Sequence, residues 1–162
     1  MIRKVFFSFH YKRDSHRVAQ IRNSQVVSNG DKFQRTPFLD KAEFEQVKRT
    51  QGIQKWIDEN MKNTSVVVVC YGLETSIRPW VKYELEKAHR EGRGIVAINT
   101  SGMQTLQNSI DASGINPLVT ALDEKGLPLI LNDKYLSYHW INETGRTYIG
   151  DWIEKAAKLA GR

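Results

Sequence analysis

Two runs of branched and aromatic residues frame the chain. "KVFFSFHY" (4–11) reads as a buried first strand. "SVVVVCYG" (65–72), uninterrupted and bounded by Thr64 and Gly72, has the pattern of a strand covered on both faces of a parallel sheet. Between them the period changes. In "DSHRVAQIRNSQVV" (14–27), Val18, Ile21 and Val26 fall at helical spacing behind Asp14 or Ser15 as a cap. In "TQGIQKWIDENMKNT" (50–64), Ile53, Trp56, Ile57 and Met61 do so behind Thr50. The stretch 28–52 is polar and punctuated by Gly30, Pro37 and Gly52, so it supports no more than a short strand around Phe38 and Leu39.

Downstream, a helix opens near Thr75 or Ser76 with Pro79 in its first turn and ends at Gly92. "GIVAINT" (94–100) is a further strand, and either "LPLILN" (127–132) or "YLSYHWI" (135–141) supplies the last. "TYIGDWIEKAAKLAG" (147–161) closes as a helix burying Ile149, Trp152, Ile153 and Ala156. Alternating strands and helices argue for a three-layer α/β fold with a central, mostly parallel sheet and right-handed crossovers. Residues 101–126 are patternless apart from room for one short helix, and a connection that long reads as a lid or a contact surface.

One helix breaks its own pattern. In "PWVKYELEKAHREG" (79–92), at about 100° per residue, Val81, Leu85 and Ala88 form an apolar arc with Trp80 at its edge. Glu86 falls on the far side, where a glutamate belongs. Glu84 falls between Trp80 and Ala88, inside the arc. A carboxylate there either pairs with a lysine or arginine at the rim of the core or serves a site.

Composition narrows the field without naming a function. At 162 residues and 40% hydrophobic content the chain can bury one proper core, so a single domain over 1–162 is expected. No apolar run approaches the ~20 residues of a membrane helix, and the start lacks the features of a signal peptide, so a cytoplasmic protein with no membrane partner is expected. A lone Cys70 within an apolar run reads as a small hydrophobe, not a nucleophile. The net charge of +6 would suit a polyanion, but the basic residues are dispersed, and neither zinc-finger spacing nor an RNA-binding strand accompanies them. Nucleic acid is therefore disfavoured. The same charge suits a small anion such as a dinucleotide.

Open parallel sheets bind ligands beyond the carboxyl ends of their strands. That edge should carry Phe9, His10 and Tyr11, then Tyr71 and Gly72, then Thr100. Most familiar occupants are excluded: the sequence has no Walker-type phosphate loop, no G-x-G-x-x-G after the first strand and no G-x-S-x-G elbow. The acids of a phosphoacceptor site are also missing from the strand ends. His10, His16, His89 and His139 stand at unrelated spacings, so no metal site is expected.

"RKVFFSFHY" at the start, taken with "RPWVKYELEKA" at 78–88, resembles the Toll/interleukin-1 receptor (TIR) family, and more narrowly the TIR-like proteins of bacterial Thoeris antiphage defence. The likeness is strongest over about 3–23 and 64–100. It implies a flavodoxin-like/TIR-like fold and an enzyme that takes NAD as substrate, with no resident cofactor. Enzymatic members of the family cleave the nicotinamide–ribose bond, and some cyclise the ADP-ribose into a messenger for an effector protein; such enzymes often work as assemblies. Trp80 and Glu84 match the family's W-x-x-x-E element, whose glutamate is catalytic. Ser8 and His10 match positions of the first strand and its loop that approach the nucleotide, and Phe38 and Asp40 fall where the family's second loop covers it. Trp80 would either stack on nicotinamide or fill the core. The rivals are a non-catalytic TIR-like scaffold in which Glu84 is structural, and a basic nucleotide- or nucleic-acid-binding module of flavodoxin-like fold.

Overall fold

Five parallel strands form one sheet in the order β2-β1-β3-β4-β5. They are β1 (Arg3–Ser8), β2 (Phe33–Arg35), β3 (Val66–Tyr71), β4 (Gly94–Asn99) and β5 (Leu136–His139). The helices are α1 (Tyr11–Ser28), α2 (Lys41–Thr50), α3 (Ile53–Met61), α4 (Pro79–Arg90) and α5 (Gly145–Leu159). This is a computed structural model that describes residues 3–28, 33–35, 41–104 and 112–162. Among them no helix is long and apolar enough to cross a membrane.

The central strand follows from its sequence. All six residues of β3 are buried, with β1 on one side, where Val69 pairs with Ser8, and β4 on the other, where Tyr71 pairs with Asn99. Side chains alternate across the sheet. Val5 and Phe7 join Val18 and Ile21 of α1 and Ile149 and Ile153 of α5 on one face. Phe6 joins Ile57 of α3 and Leu85 of α4 on the other. Cys70 lies within the first cluster, and burial holds its thiol neutral. The strand order reverses between β1 and β3, which is where such a sheet opens a crevice at its carboxyl edge.

Several boundaries differ from the sequence reading. β1 stops at Ser8, and α1 begins at Tyr11 with the His10 carbonyl accepting from the amides of Arg13 and Asp14. Asp14 is therefore inside the helix and not its cap. Gly52, at φ 88°, precedes α3, while the hydroxyl of Thr50 turns back to the Gln46 carbonyl. The 28–52 stretch contains a strand at Phe33–Arg35 and the whole of α2; Phe38 and Leu39, around which a strand was expected, lie outside the described residues. "LPLILN" forms a short 3-10 turn at Leu129–Leu131, so the last strand is the one in "YLSYHWI". The described part of the long connection packs on the turn at Thr75–Ile77, where the Thr120 hydroxyl donates to the Ser76 carbonyl, and it leaves Ile115 and Val119 exposed.

One close approach locks α5 onto the sheet. A Cβ built on Gly94, the first residue of β4, would stand 2.6 Å from the Ala156 carbonyl oxygen, a backbone atom that cannot swing aside. Gly94→Ala is expected to cost about 1–3 kcal/mol through overpacking. Urea unfolding should show a lower midpoint at unchanged slope; an unmoved midpoint would mean that α5 shifts freely.

Candidate active site

Glu84 is reached by going down one stripe of α4. Residues 80, 84 and 88 lie one above another, and exposure falls from 38% at Trp80 through 9% at Glu84 to nothing at Ala88. The helix thus carries its carboxylate inward from a mouth at its N-terminal end. Ser8, the last residue of β1, alternates onto the same face as Phe6 and comes beside Glu84. A cavity of about 230 Å³ opens at this point. Its walls are aromatic, made by Phe6, Phe9, Phe44, Trp56 and Trp80, and Glu84 forms part of its lining.

The electrostatics of the carboxylate follow from that setting. Burial pushes Glu84 up to about 8, and the nearby Ser8 hydroxyl offsets this only in part. Oε2 of Glu84 and Oγ of Ser8 are both buried and close no hydrogen bond of good geometry. Among the described residues no basic side chain compensates the charge, and none makes the rim pairing with a lysine or arginine that the helical wheel left open. A buried carboxylate oxygen left without a well-formed hydrogen bond, on a residue that lines a cavity, is a costly arrangement for a fold to keep.

The other expected residues are distributed unevenly. His10 lines the cavity and is 4% exposed; burial first, then the Arg78 guanidinium, holds its pKa down to about 4, so the ring is neutral near pH 7. Trp80 stands at the mouth with its ring edge-on to Tyr83 (5.7 Å, 88°) and does not fill the core. Phe38 and Asp40 lie outside the described residues. Tyr71, Gly72 and Thr100, expected at the ligand-binding edge, do not line the cavity. The Tyr71 carbonyl accepts from both the amide and the hydroxyl of Thr100, and the Gly72 amide donates to Thr75 Oγ1.

Beneath that edge lies a buried ion pair. Arg17 Nη1 donates to Asp14 Oδ1 at 2.8 Å, and Arg17 Nε donates to the Met103 carbonyl at 3.1 Å. A Cβ on Gly72 would stand 2.9 Å from Asp14 Oδ1, so only glycine lets the loop after β3 lie against this carboxylate. The pair ties α1 to the loops after β3 and β4 and so fixes the floor on which His10 begins its helix.

Sequence reasoning missed three contributors. Phe44 comes from α2, whose ring stacks on Tyr11 with centroids 3.5 Å apart, and the Tyr11 hydroxyl donates to Glu45. The only signal was Phe44 and Val47 three residues apart, the two positions of α2 that pack on the core. Trp56 reads from the sequence only as one of four apolar positions at helical spacing; it is half-buried and walls the cavity. Arg78, just before Pro79, lines the mouth together with Lys12 and Lys48.

An all-parallel sheet in this strand order, with a buried glutamate on the helix after the central strand facing the crevice beyond the first, defines a TIR-like α/β protein. A family model described as "Thoeris protein ThsB, TIR-like domain" matches residues 6–105, and the chain belongs to that family. The matched span includes Ser8, His10, Trp80 and Glu84. The chain is also similar to a protein of Bacillus cereus (strain MSX-D12) named "Putative cyclic ADP-D-ribose synthase ThsB1", at 28% identity over 155 residues that cover 94% of this chain and 72% of that one.

Proposed function

We propose that this chain is an NAD-cleaving enzyme of bacterial antiphage defence, which releases nicotinamide and closes the ADP-ribose part into a cyclic signalling nucleotide for an effector protein. The observation that carries the reading is Glu84: a buried carboxylate, unpaired, lining an aromatic cavity. The name of the Bacillus cereus relative supports the cyclic product.

The chemistry needs little more than such a group. In NAD the nicotinamide ring is a pyridinium, and when the ring nitrogen–C1′ bond breaks both electrons go to that nitrogen. Nicotinamide leaves neutral, so no general acid is needed, unlike the two-carboxylate glycosidases. Positive charge passes from the ring to the ribose C1′ and ring oxygen. Glu84 stabilises that charge and accepts hydrogen bonds from the ribose hydroxyls, an effect strengthened by the dry walls. Trp80 at the mouth offers the pyridinium an aromatic face. A cavity of about 230 Å³ is below the ~300–1,000 Å³ that encloses a drug-sized ligand, so it takes the nicotinamide riboside end and leaves the rest of NAD over the cationic mouth.

The second step decides the product. For cyclisation, an adenosine nitrogen or hydroxyl attacks C1′ before water does and gives up its proton if it is a hydroxyl; with water as the nucleophile the product is linear ADP-ribose. Holding the adenosine end close raises its effective concentration over water. Self-association is part of this proposal, because Phe44 and Trp80 sit at an open mouth that a second copy can close. Activity should therefore be measured over a range of protein concentrations.

The protonation state of Glu84 provides a direct check. In the free enzyme the carboxyl must lose its proton, so kcat/KM should rise with pH, pass half its maximum near 8 and level off above it. Bound pyridinium favours the carboxylate, so the corresponding limb in kcat should lie at lower pH. A kcat/KM that is flat between about pH 5 and 9 would argue against an ionised Glu84 as the stabilising group.

A further inference from the structure

Beside the cavity one carboxylate stands among two guanidiniums and the neutral ring of His10 without closing a hydrogen bond to any of them. Oε2 of Glu74, in the loop after β3, lies 3.8 Å from Arg13 Nη1, 3.9 Å from His10 Nδ1 and 3.9 Å from Arg78 Nη2. None of these distances is a hydrogen bond. His10 Nδ1 and Arg78 Nε are buried atoms with no hydrogen-bond partner, although both residues line the cavity. Lys12 and Lys48 line the same mouth.

Carboxylate geometry explains the poor fit. Glu74 brings one charge and two oxygens on a side chain tethered to the loop, and the same oxygen is the near atom for two guanidiniums and the His10 ring, at hydrogen-bond distance from none. A phosphate brings three free acceptor oxygens, and a diphosphate brings more charge still, spread over a longer span. A ligand of that class would meet the guanidiniums and the His10 ring at once, each at hydrogen-bonding distance. His10 and Arg78 line the same aromatic cavity as Glu84.

Resting on the NAD reading above, we infer that His10, Arg13 and Arg78 form the subsite for the diphosphate of the substrate, and that Glu74 is a resident counter-ion which the diphosphate displaces. Glu74 then acts as a specificity residue. It keeps the cationic mouth closed to weak anions and yields only to a ligand with enough negative charge. The arrangement also favours NAD over its phosphate-free half, nicotinamide riboside, which would reach Glu84 with Glu74 still in place.

The test compares wild type, Arg78→Ala and Glu74→Gln in two assays on the full chain. Calorimetry with ADP as probe measures the subsite without any turnover. Arg78→Ala is expected to weaken ADP binding at least tenfold, the scale of a lost charge-assisted hydrogen bond, and Glu74→Gln to tighten it severalfold. In the kinetic assay, the ratio of kcat/KM for NAD to that for nicotinamide riboside should fall at least tenfold in Arg78→Ala and rise in Glu74→Gln. ADP binding unchanged in Arg78→Ala, or weakened in Glu74→Gln, would overturn the inference. The two proposals fail separately. ADP binding through Arg78 in a protein that never cleaves NAD sinks the enzyme and leaves an anion site, whereas NAD cleavage indifferent to Arg78 sinks the subsite and leaves the enzyme.

Discussion

Glu84→Gln is expected to lower nicotinamide release roughly 10²- to 10³-fold or more, while making the folded protein more stable at alkaline pH. Both effects come from the same burial. Gln keeps the shape and one carbonyl acceptor but carries no charge, so it cannot stabilise the ribosyl cation. It also removes a folding penalty. The carboxyl titrates near 8 in the fold against an ordinary value of 4.5, so between those values the folded chain holds a proton that the unfolded chain has lost. Wild-type stability should therefore fall as pH rises from 4.5 through about 8, by an amount on the order of a few kcal/mol, and stay low above it. Thermal unfolding of the two proteins at about pH 6 and pH 9 reads this out. The advantage of the Gln variant should widen at the higher pH. A variant less stable than wild type at both would show that Glu84 is held by interactions that the structure does not contain, and that its role is structural.

Asp14→Ala should be the most destabilising single change, at about 3–5 kcal/mol, because it leaves the guanidinium of Arg17 in the interior without its anion. Asp14 is fully buried and Arg17 is 1% exposed, so water cannot take over the lost interaction. Replacing both, as Asp14→Ala with Arg17→Met, is expected to recover much of the loss, since the desolvation cost of the charge goes with it. Chemical denaturation of the two variants measures the difference. A loss below about 1 kcal/mol for Asp14→Ala would mean that the pair is weakly coupled to the fold. The pair also underlies the site: α1 begins at the His10 carbonyl, which accepts from the Asp14 amide at 2.8 Å, so a loosened Asp14 displaces the histidine at the mouth.

The sheet was legible because its strands are buried on both faces. Val66–Tyr71 and Gly94–Asn99 stand out as apolar runs, and the helices after them show their inward stripes in Val81, Leu85 and Ala88 and in Ile149, Trp152 and Ile153. Glu84 was legible for the opposite reason, as a charge that breaks such a stripe. What escaped were elements whose hydrophobic content is small. Among its described side chains α2 packs only Phe44 and Val47 against the core, and its sequence reads as a polar connection. "LPLILN" is apolar enough for a strand, yet only Leu129 turns fully inward while Ile130 and Leu131 are exposed, and the chain coils there. Asp14 looked like a helix cap because helix starts favour aspartate; its true partner, Arg17, is visible only once the loops after β3 and β4 close over it. The cationic cluster was hidden for the same reason, since His10 and Arg13 stand at the start of α1 while Glu74 and Arg78 lie between β3 and α4, about sixty residues further along the sequence.

The central claim is that a sheltered glutamate steadies a ribosyl cation, and the products formed from NAD test it most directly. NAD incubated with the full chain at pH 8 and followed by liquid chromatography with mass detection should yield nicotinamide together with a nucleotide lighter than ADP-ribose by one water. The same incubation with Glu84→Gln should leave the NAD intact. Nicotinamide released at the wild-type rate by the Glu84→Gln protein would contradict the account.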